Sequence, residues 1–248
     1  MKGSPRAVAI VGFKASGKTT VAEEIIQELT KRGYIVKTIK HTNEKQSLDI
    51  PGTDTYRHAQ AGAQGSAILS ENQSALFLQR NLTINEAVDT LGFADFLLLE
   101  GFKTQHICPK ILVPRNISDL ENLKDGLEIA VADLKNELPE INSIPIVRDS
   151  VKLTDLVVAK AHPILGGLDC ASCGYSSCRD MSHAIIHGEA NSSQCVKYSG
   201  RKTSIRVNNR EITLNPFTER LIRNILLGLV DSLKDVKNPR RIEVKTDE

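Results

Sequence analysis

Tryptophan is absent from this 248-residue chain, and Phe and Tyr bring the aromatic share to only 4%. That argues against a protein that stacks single-stranded bases on aromatic platforms. A charge excess of either sign is also missing: 32 Lys and Arg stand against 30 Asp and Glu, a net of +2. Nucleic-acid binding through a broad positive field is therefore not expected. No apolar run approaches the ~20 residues of a membrane span. No uncharged signal-peptide core follows Met1–Arg6, so the expected location is the cytoplasm, with no membrane partner. Hydrophobic residues still reach 40%, enough for a packed core. At roughly 100–200 residues per domain, the length suits one large domain or two small ones.

Cysteines number five and are unevenly placed. Cys108 stands alone, with a buried inert thiol as its default reading. Cys170, Cys173, Cys178 and Cys195 share one short stretch. In an intracellular chain such a cluster suggests metal before disulfides.

Up to about residue 160 the chain alternates short apolar runs with helical spacings. Ala7–Gly12 reads as a buried parallel strand, Lys18–Arg32 as a helix and Tyr34–Lys40 as a second strand. Tyr56–Ala63 and Ile84–Leu91 read as helices, and Ala67–Leu69 and Phe96–Glu100 as strands. Further apolar runs lie at 111–113, 129–131 and 144–147. This is the pattern of an α/β domain with a mainly parallel sheet over residues 1–160. Residues 161–248 differ. They hold the four cysteines and an alternating stretch, Ile205–Leu214, that reads as a hairpin turning at Asn208-Asn209. Asn215-Pro216 then opens a helix with an apolar face at Phe217, Leu221, Ile222, Ile225, Leu229 and Leu233. The expected second unit is a small α+β cysteine-cluster domain.

Gly12-Phe13-Lys14-Ala15-Ser16-Gly17-Lys18-Thr19 fits G-x-x-x-x-G-K-[ST] without a mismatch. The glycines let backbone N–H groups converge on phosphate oxygens, Lys18 neutralises the β- and γ-phosphates, and the Thr19 hydroxyl suits Mg²⁺. The motif follows a predicted strand and opens a predicted helix, the context it needs. A P-loop NTPase domain also needs an acid at the end of a neighbouring strand. Glu100 closes Phe96–Leu99 and is the leading candidate. Asp95 lies at the opposite end of that strand. Asp49 is a second candidate, with a solvated loop residue as its equal alternative. No guanine-reading Asn-Lys-x-Asp is present, so spacing does not choose between ATP and GTP.

Three blocks resemble the molybdopterin-guanine dinucleotide biosynthesis adaptor protein B family. They are the strand with Gly12–Thr19; Lys40-His41-Thr42 with Asp49–His58 and Ala61–Ala63; and Glu100–Lys103 followed by Pro109–Ile111. The resemblance implies a usually dimeric GTP·Mg²⁺-binding protein with at most weak GTPase activity. Such proteins assist the guanylyltransferase that joins GMP to molybdopterin, in molybdenum or tungsten cofactor assembly. It also implies GTP on Gly12–Thr19 and Thr20, and functional acids at Asp49 and Glu100. His41, Arg57 and Lys103 match positions assigned to phosphate or pterin contacts. Where relatives often have further His, this chain has Asn43 and Glu44. Rival readings are an ATP-dependent small-molecule kinase, a redox-sensing nucleotide switch and a metal-delivery GTPase.

The spacing Cys170-x2-Cys173-x4-Cys178-x16-Cys195 places three sulfurs in one tight loop and a fourth further on. Cys thiolates suit iron–sulfur clusters or Zn²⁺. Structural Zn²⁺ more often uses two C-x2-C knuckles, and one exists here. The stretch resembles a small four-cysteine [4Fe–4S] domain of anaerobic corrinoid and electron-transfer proteins. A [4Fe–4S] cluster is the leading reading, with Zn²⁺ and two disulfides as alternatives. His183 and His187 lie one helical turn apart and read as surface residues.

Overall fold

The computed structural model describes residues 4–42, 47–135, 137–139, 144–198, 203, 205–208, 210–212, 214–233, 242 and 244. Asn43, Glu44, Asn209 and nearly all of the charged C-terminal stretch lie outside the described residues.

Strand β1 (Arg6–Val11) is buried from Ala7 to Val11, as its unbroken apolar run requires of a strand covered on both faces. The chain continues through α1 (Lys18–Lys31), β2 (Val36–Lys40), α2 (Asp54–Gln60), β3 (Gly65–Leu69), β4 (Ser74–Leu78), α3 (Ile84–Leu91) and β5 (Phe96–Glu100). Next come β6 (Lys110–Leu112), α4 (Ile117–Leu123), β7 (Glu128–Ala132), β8 (Ile146–Val147), α5 (Ser150–Lys160) and β9 (His162–Pro163). The tail holds α6 (Cys178–His187), a 3₁₀ turn (Ser192–Gln194), β10 (Ile205–Val207), β11 (Arg210–Ile212) and α7 (Pro216–Asp231).

The main sheet has the order β2-β5-β1-β6-β7-β8, and each neighbouring pair is parallel. The register aligns Ile10 with Glu100 and Lys40 with Glu100. Three neighbouring strands thus end level, at the carboxyl edge where such sheets bind ligands. Helix α1 lays Val21, Ala22, Ile25 and Leu29 on Val8, Ile10, Phe96 and Leu98. Gly33, in the left-handed region at φ 85°, turns the chain at its end and returns it to β2. On the other face, a second apolar core joins Ala7, Ala9, Leu97 and Leu99 to Ile164, Leu165, Met181, Cys195 and Val196.

Several expectations shift. The helix placed at 56–63 starts earlier, at Asp54, because Thr53 caps it and accepts from the Tyr56 N–H. The strand at 67–69 is one arm of a separate hairpin, β3–β4. Just past the boundary at 160, β9 pairs antiparallel with Arg6 and Ala7 of β1. The apolar stripe of α7 is not packed: Phe217, Leu221, Ile225, Leu229 and Leu233 are all exposed. Hairpin β10–β11 forms with Arg206 paired to Glu211 in register.

Candidate nucleotide site and cysteine centre

The loop after β1 is shaped by its glycines. A Cβ on Gly12 would lie 2.3 Å from Ser16 Oγ and 2.5 Å from the Val113 carbonyl oxygen, so no larger residue fits. Ala15 (φ 60°) and Gly17 (φ 91°) turn left-handed and curl the backbone into a concave nest of N–H groups. Helix α1 starts at Lys18 with no side-chain cap and no acid in its first turn, which leaves its positive end to an anion. Lys18 Nζ folds back to donate to the Phe13 carbonyl at 2.5 Å. Ser16 Oγ is buried without a hydrogen-bond partner. The loop therefore fits a phosphate chain.

In front of it opens a cleft of about 1100 Å³. Lys14, Lys18, Lys40 and Lys103 stand on its walls, and among the described residues Glu100 is the only acid there. Thr19 Oγ1 donates to Glu100 Oε1 at 3.1 Å, and Lys40 Nζ reaches the same oxygen at 3.2 Å. Burial holds the Lys18 ammonium below its usual pKa. Glu100 opposes that shift, and Lys103 and Lys40 add to it. A site that crowds cations in this way favours a polyanion.

The Glu100–Lys103 turn is built tightly. Gly101 (φ 97°) passes so close to His41 that a Cβ would sit 3.1 Å from the His41 carbonyl oxygen. The His41 N–H donates to the Glu100 carbonyl at 2.9 Å, and the His41 and Phe102 rings lie 5.4 Å apart. Lys103 Nζ sits 3.9 Å over the Phe13 ring. Beneath the turn, fully buried Lys110 donates to the Lys103 carbonyl at 2.9 Å and pairs with Asp125.

The structure thus brings Gly12, Lys14, Ala15, Lys18, Thr19, His41, Glu100 and Lys103 onto one cleft. It does not bring Asp49 or Arg57 there. The Asp49 carboxylate accepts from the Ile50 N–H at 2.8 Å and the Thr53 hydroxyl at 3.1 Å, capping the turn before α2. Arg57 is exposed and lies 3.8 Å from Asp54. Asp95 accepts from the Ile35 N–H at 2.8 Å, at the far end of the sheet. Sequence reasoning passed over Lys40, although its place at the end of a strand beside the acid-bearing one was a usable signal. It also missed the far wall, Leu82–Asn85 with Ile164–Gly167, which only the fold assembles.

Behind that wall, Cys170, Cys173, Cys178 and Cys195 line a single small pocket with almost wholly apolar walls. All five cysteines are free thiols. The loop winds through left-handed residues at Gly167 (φ 66°), Asp169 (φ 43°), Ala171 (φ 53°) and Gly174 (φ 89°). Cys178 is the first residue of α6, capped by Ser177, and its N–H donates to Asp169 Oδ1 at 2.6 Å. Burial pushes the Cys178 thiol up, while the N–H groups of Asp169, Leu168 and Gly167 facing its sulfur pull it back. Buried His162 fastens α6 to the sheet through Ser182 Oγ at 2.8 Å. No three His, Cys, Asp or Glu side chains among the described residues converge to hold a single ion. The four thiols are instead spread around one pocket, a donor set that fits a thiolate-ligated cluster. His183 and His187 stack 4.1 Å apart outside that pocket. Burial pushes the Cys108 thiol up to about 12, an inert state.

The family described as molybdopterin guanine dinucleotide synthesis protein B matches residues 7–133, and one described as "Putative Fe-S cluster" matches 165–197. A Methanocaldococcus jannaschii protein named "Putative molybdopterin-guanine dinucleotide biosynthesis adapter protein" is 29% identical over 247 residues, 98% of this chain and 97% of that one. The Haemophilus influenzae molybdopterin-guanine dinucleotide biosynthesis adapter protein is 30% identical over 58% of this chain and 86% of its own length. A crystal structure of Bacillus subtilis MobB superposes with a TM-score of 0.54 at 30% identity, covering 63% of this chain and 98% of that one. With half its length matched by the family and the fold shared with a solved member, this chain belongs to the molybdopterin guanine dinucleotide synthesis protein B family.

Proposed function

We propose that the chain is a GTP·Mg²⁺-binding accessory protein of molybdenum or tungsten cofactor biosynthesis. It assists the guanylyltransferase that attaches GMP to molybdopterin, and it hydrolyses GTP slowly. The observation that carries this reading is the meeting of Thr19 and Glu100 beside the phosphate loop, in a cleft otherwise walled by lysines. The backbone N–H groups of Gly12–Thr19 and the Lys18 ammonium hold the phosphates. Thr19 and Glu100 would hold Mg²⁺ and its water, and the ion when bound screens the phosphate charge. Among the described residues no Arg lines the cleft, and an arginine finger is worth roughly 10³–10⁵ in rate, so slow hydrolysis is the expected behaviour.

Cys170, Cys173, Cys178 and Cys195 would hold the iron–sulfur centre, with [4Fe–4S] as the type. Structural Zn²⁺ more often uses two C-x2-C knuckles, and this stretch has one. No described helix is long and apolar enough to cross a membrane, which fits work in the cytoplasm. Hairpin β3–β4 exposes Leu69 and Leu76 on one face, which suits a homodimer.

The test is anaerobic purification with iron, zinc and nucleotide analysis, followed by calorimetric titration with GTP and ATP. The reading expects preference for GTP, dependence on Mg²⁺, loss of binding in Lys18→Ala and about four Fe per chain. Equal binding by Lys18→Ala, or a colourless protein with one tightly held Zn²⁺, would contradict it.

A further inference from the structure

The nucleotide cleft and the cysteine pocket share a wall. Gly166 lines both. A Cβ on Gly166 would lie 3.7 Å from Cys195 Sγ, so a single thickness of backbone separates the cleft from that sulfur. Gly167, also on the cleft wall, is in the left-handed region at φ 66° and starts the turn that leads to Cys170. The strip is fastened from the cysteine side. Two residues after Cys195, Lys197 Nζ donates to Asn85 Oδ1 at 2.7 Å and to the Ile164 carbonyl at 3.2 Å. The Tyr198 hydroxyl donates to the same carbonyl at 2.5 Å. Asn85 and Ile164 both line the cleft. The half-buried ammonium of Lys197 therefore stands between the two sites, bonded to the walls of one and two residues along the chain from a ligand of the other.

We infer that the Ile164–Leu168 strip, pinned by Lys197, couples the two sites: nucleotide in the cleft lowers the reduction potential of the centre that the four cysteines would hold, and reduction of that centre weakens nucleotide binding. The sign follows from charge. A Mg²⁺-bound triphosphate brings net negative charge to the cleft. One electron from a low-potential donor makes the thiolate-held centre one unit more negative, the donor being oxidised and no bond made or broken. Like charges across a thin, poorly hydrated wall repel. Linkage requires the two effects to be equal in size. Potentials of thiolate-held centres respond to nearby charge, and the Lys197 ammonium supplies a positive one between the two sites. This inference rests on the reading of the cysteines as an iron–sulfur centre and of the cleft as a nucleotide site.

The experiment uses the full chain purified anaerobically. Iron and sulfide analysis, and the electron paramagnetic resonance signal after dithionite, first establish the centre. Calorimetry with a non-hydrolysable GTP analogue and Mg²⁺ establishes the nucleotide site. Potentiometric titration with and without the analogue then reads the coupling. The expected result is at least about threefold weaker analogue binding by the reduced protein, matched by a potential about 28 mV lower when the analogue is bound, at 59 mV per tenfold for one electron. Lys18→Ala should lose the analogue-dependent shift. Lys197→Met should lower the potential of the nucleotide-free protein, and Lys197→Arg should restore it. A centre and a bound nucleotide with no mutual shift would overturn the coupling and leave the proposed function standing. Absence of iron, or of nucleotide binding, would overturn both. The wild-type measurement decides even if a Lys197 variant does not fold.

Discussion

Thr19 and Glu100 stand 81 residues apart in the chain, yet their side chains meet at 3.1 Å across the ends of β1 and β5. The register that aligns Ile10 with Glu100 sets the acid beside the end of β1, and the turn through Ala15 and Gly17 brings Thr19, in the first turn of α1, to it. Glu100→Gln keeps the shape and removes the charge. The variant should still bind GTP but lose most of the gain in affinity that Mg²⁺ provides, with slower hydrolysis. Titration with and without Mg²⁺, in parallel with phosphate release, checks this. An unchanged Mg²⁺ dependence would remove Glu100 from the role.

Gly12→Ala tests the loop by shape alone. The added Cβ would meet the Val113 carbonyl at 2.5 Å, and backbone cannot swing aside as a side chain can. Overpacking of this kind costs about 1–3 kcal/mol. The fold should survive with a lower melting temperature while nucleotide no longer raises it.

Lys110→Met should cost more. Lys110 is fully buried, and its removal leaves the largely buried Asp125 carboxylate without its ammonium. Breaking such a pair from one side costs about 3–5 kcal/mol. It also frees the Lys103 carbonyl, so nucleotide affinity should fall together with stability. Denaturant titration and calorimetry on the same preparation separate the two effects.

His162 gives the fold a pH dependence of known sign. Its Nδ1 faces the Pro163 carbonyl at 2.9 Å, and a carbonyl only accepts, so the neutral ring carries its proton there. Burial holds its pKa below the ordinary 6.5. The unfolded chain therefore takes up a proton before the folded one does. This contribution to stability is complete above about pH 6.5 and is lost as pH falls from there through the folded pKa, at up to about 1.4 kcal/mol per pH unit. Denaturation curves at pH 7.5 and 5.5 should differ more for the wild type than for His162→Asn.

The turn at residues 12–19 was legible because it is contiguous: eight consecutive residues announce it. Glu100 was legible through strand polarity. The contacts of Asp49 were not, because a turn-capping Asp and a metal-facing Asp look alike until Ile50 and Thr53 are in view. Helix α5 left little trace, since Val151, Val157 and Val158 suit a strand as well as a helix, and only Leu153, Thr154 and Val157 are buried. The far wall of the cleft was illegible for a different reason. Ile164–Gly167 reaches it only because β9 returns to the foot of β1, a pairing of residues more than 150 positions apart.

That return strand has a practical side. Cutting the chain after α5 would strip Arg6 and Ala7 of one of their two partner strands and bare the apolar side chains against which Ile164, Leu165, Met181 and Val196 lie. A fragment trimmed to the matched region 7–133 would begin inside β1 and end before α5, the helix that packs beside α1. Either piece, made alone, should be prone to clump. The phosphate loop and the cysteines are best handled, stored and assayed as one continuous polypeptide, because each half supplies part of the other's interior.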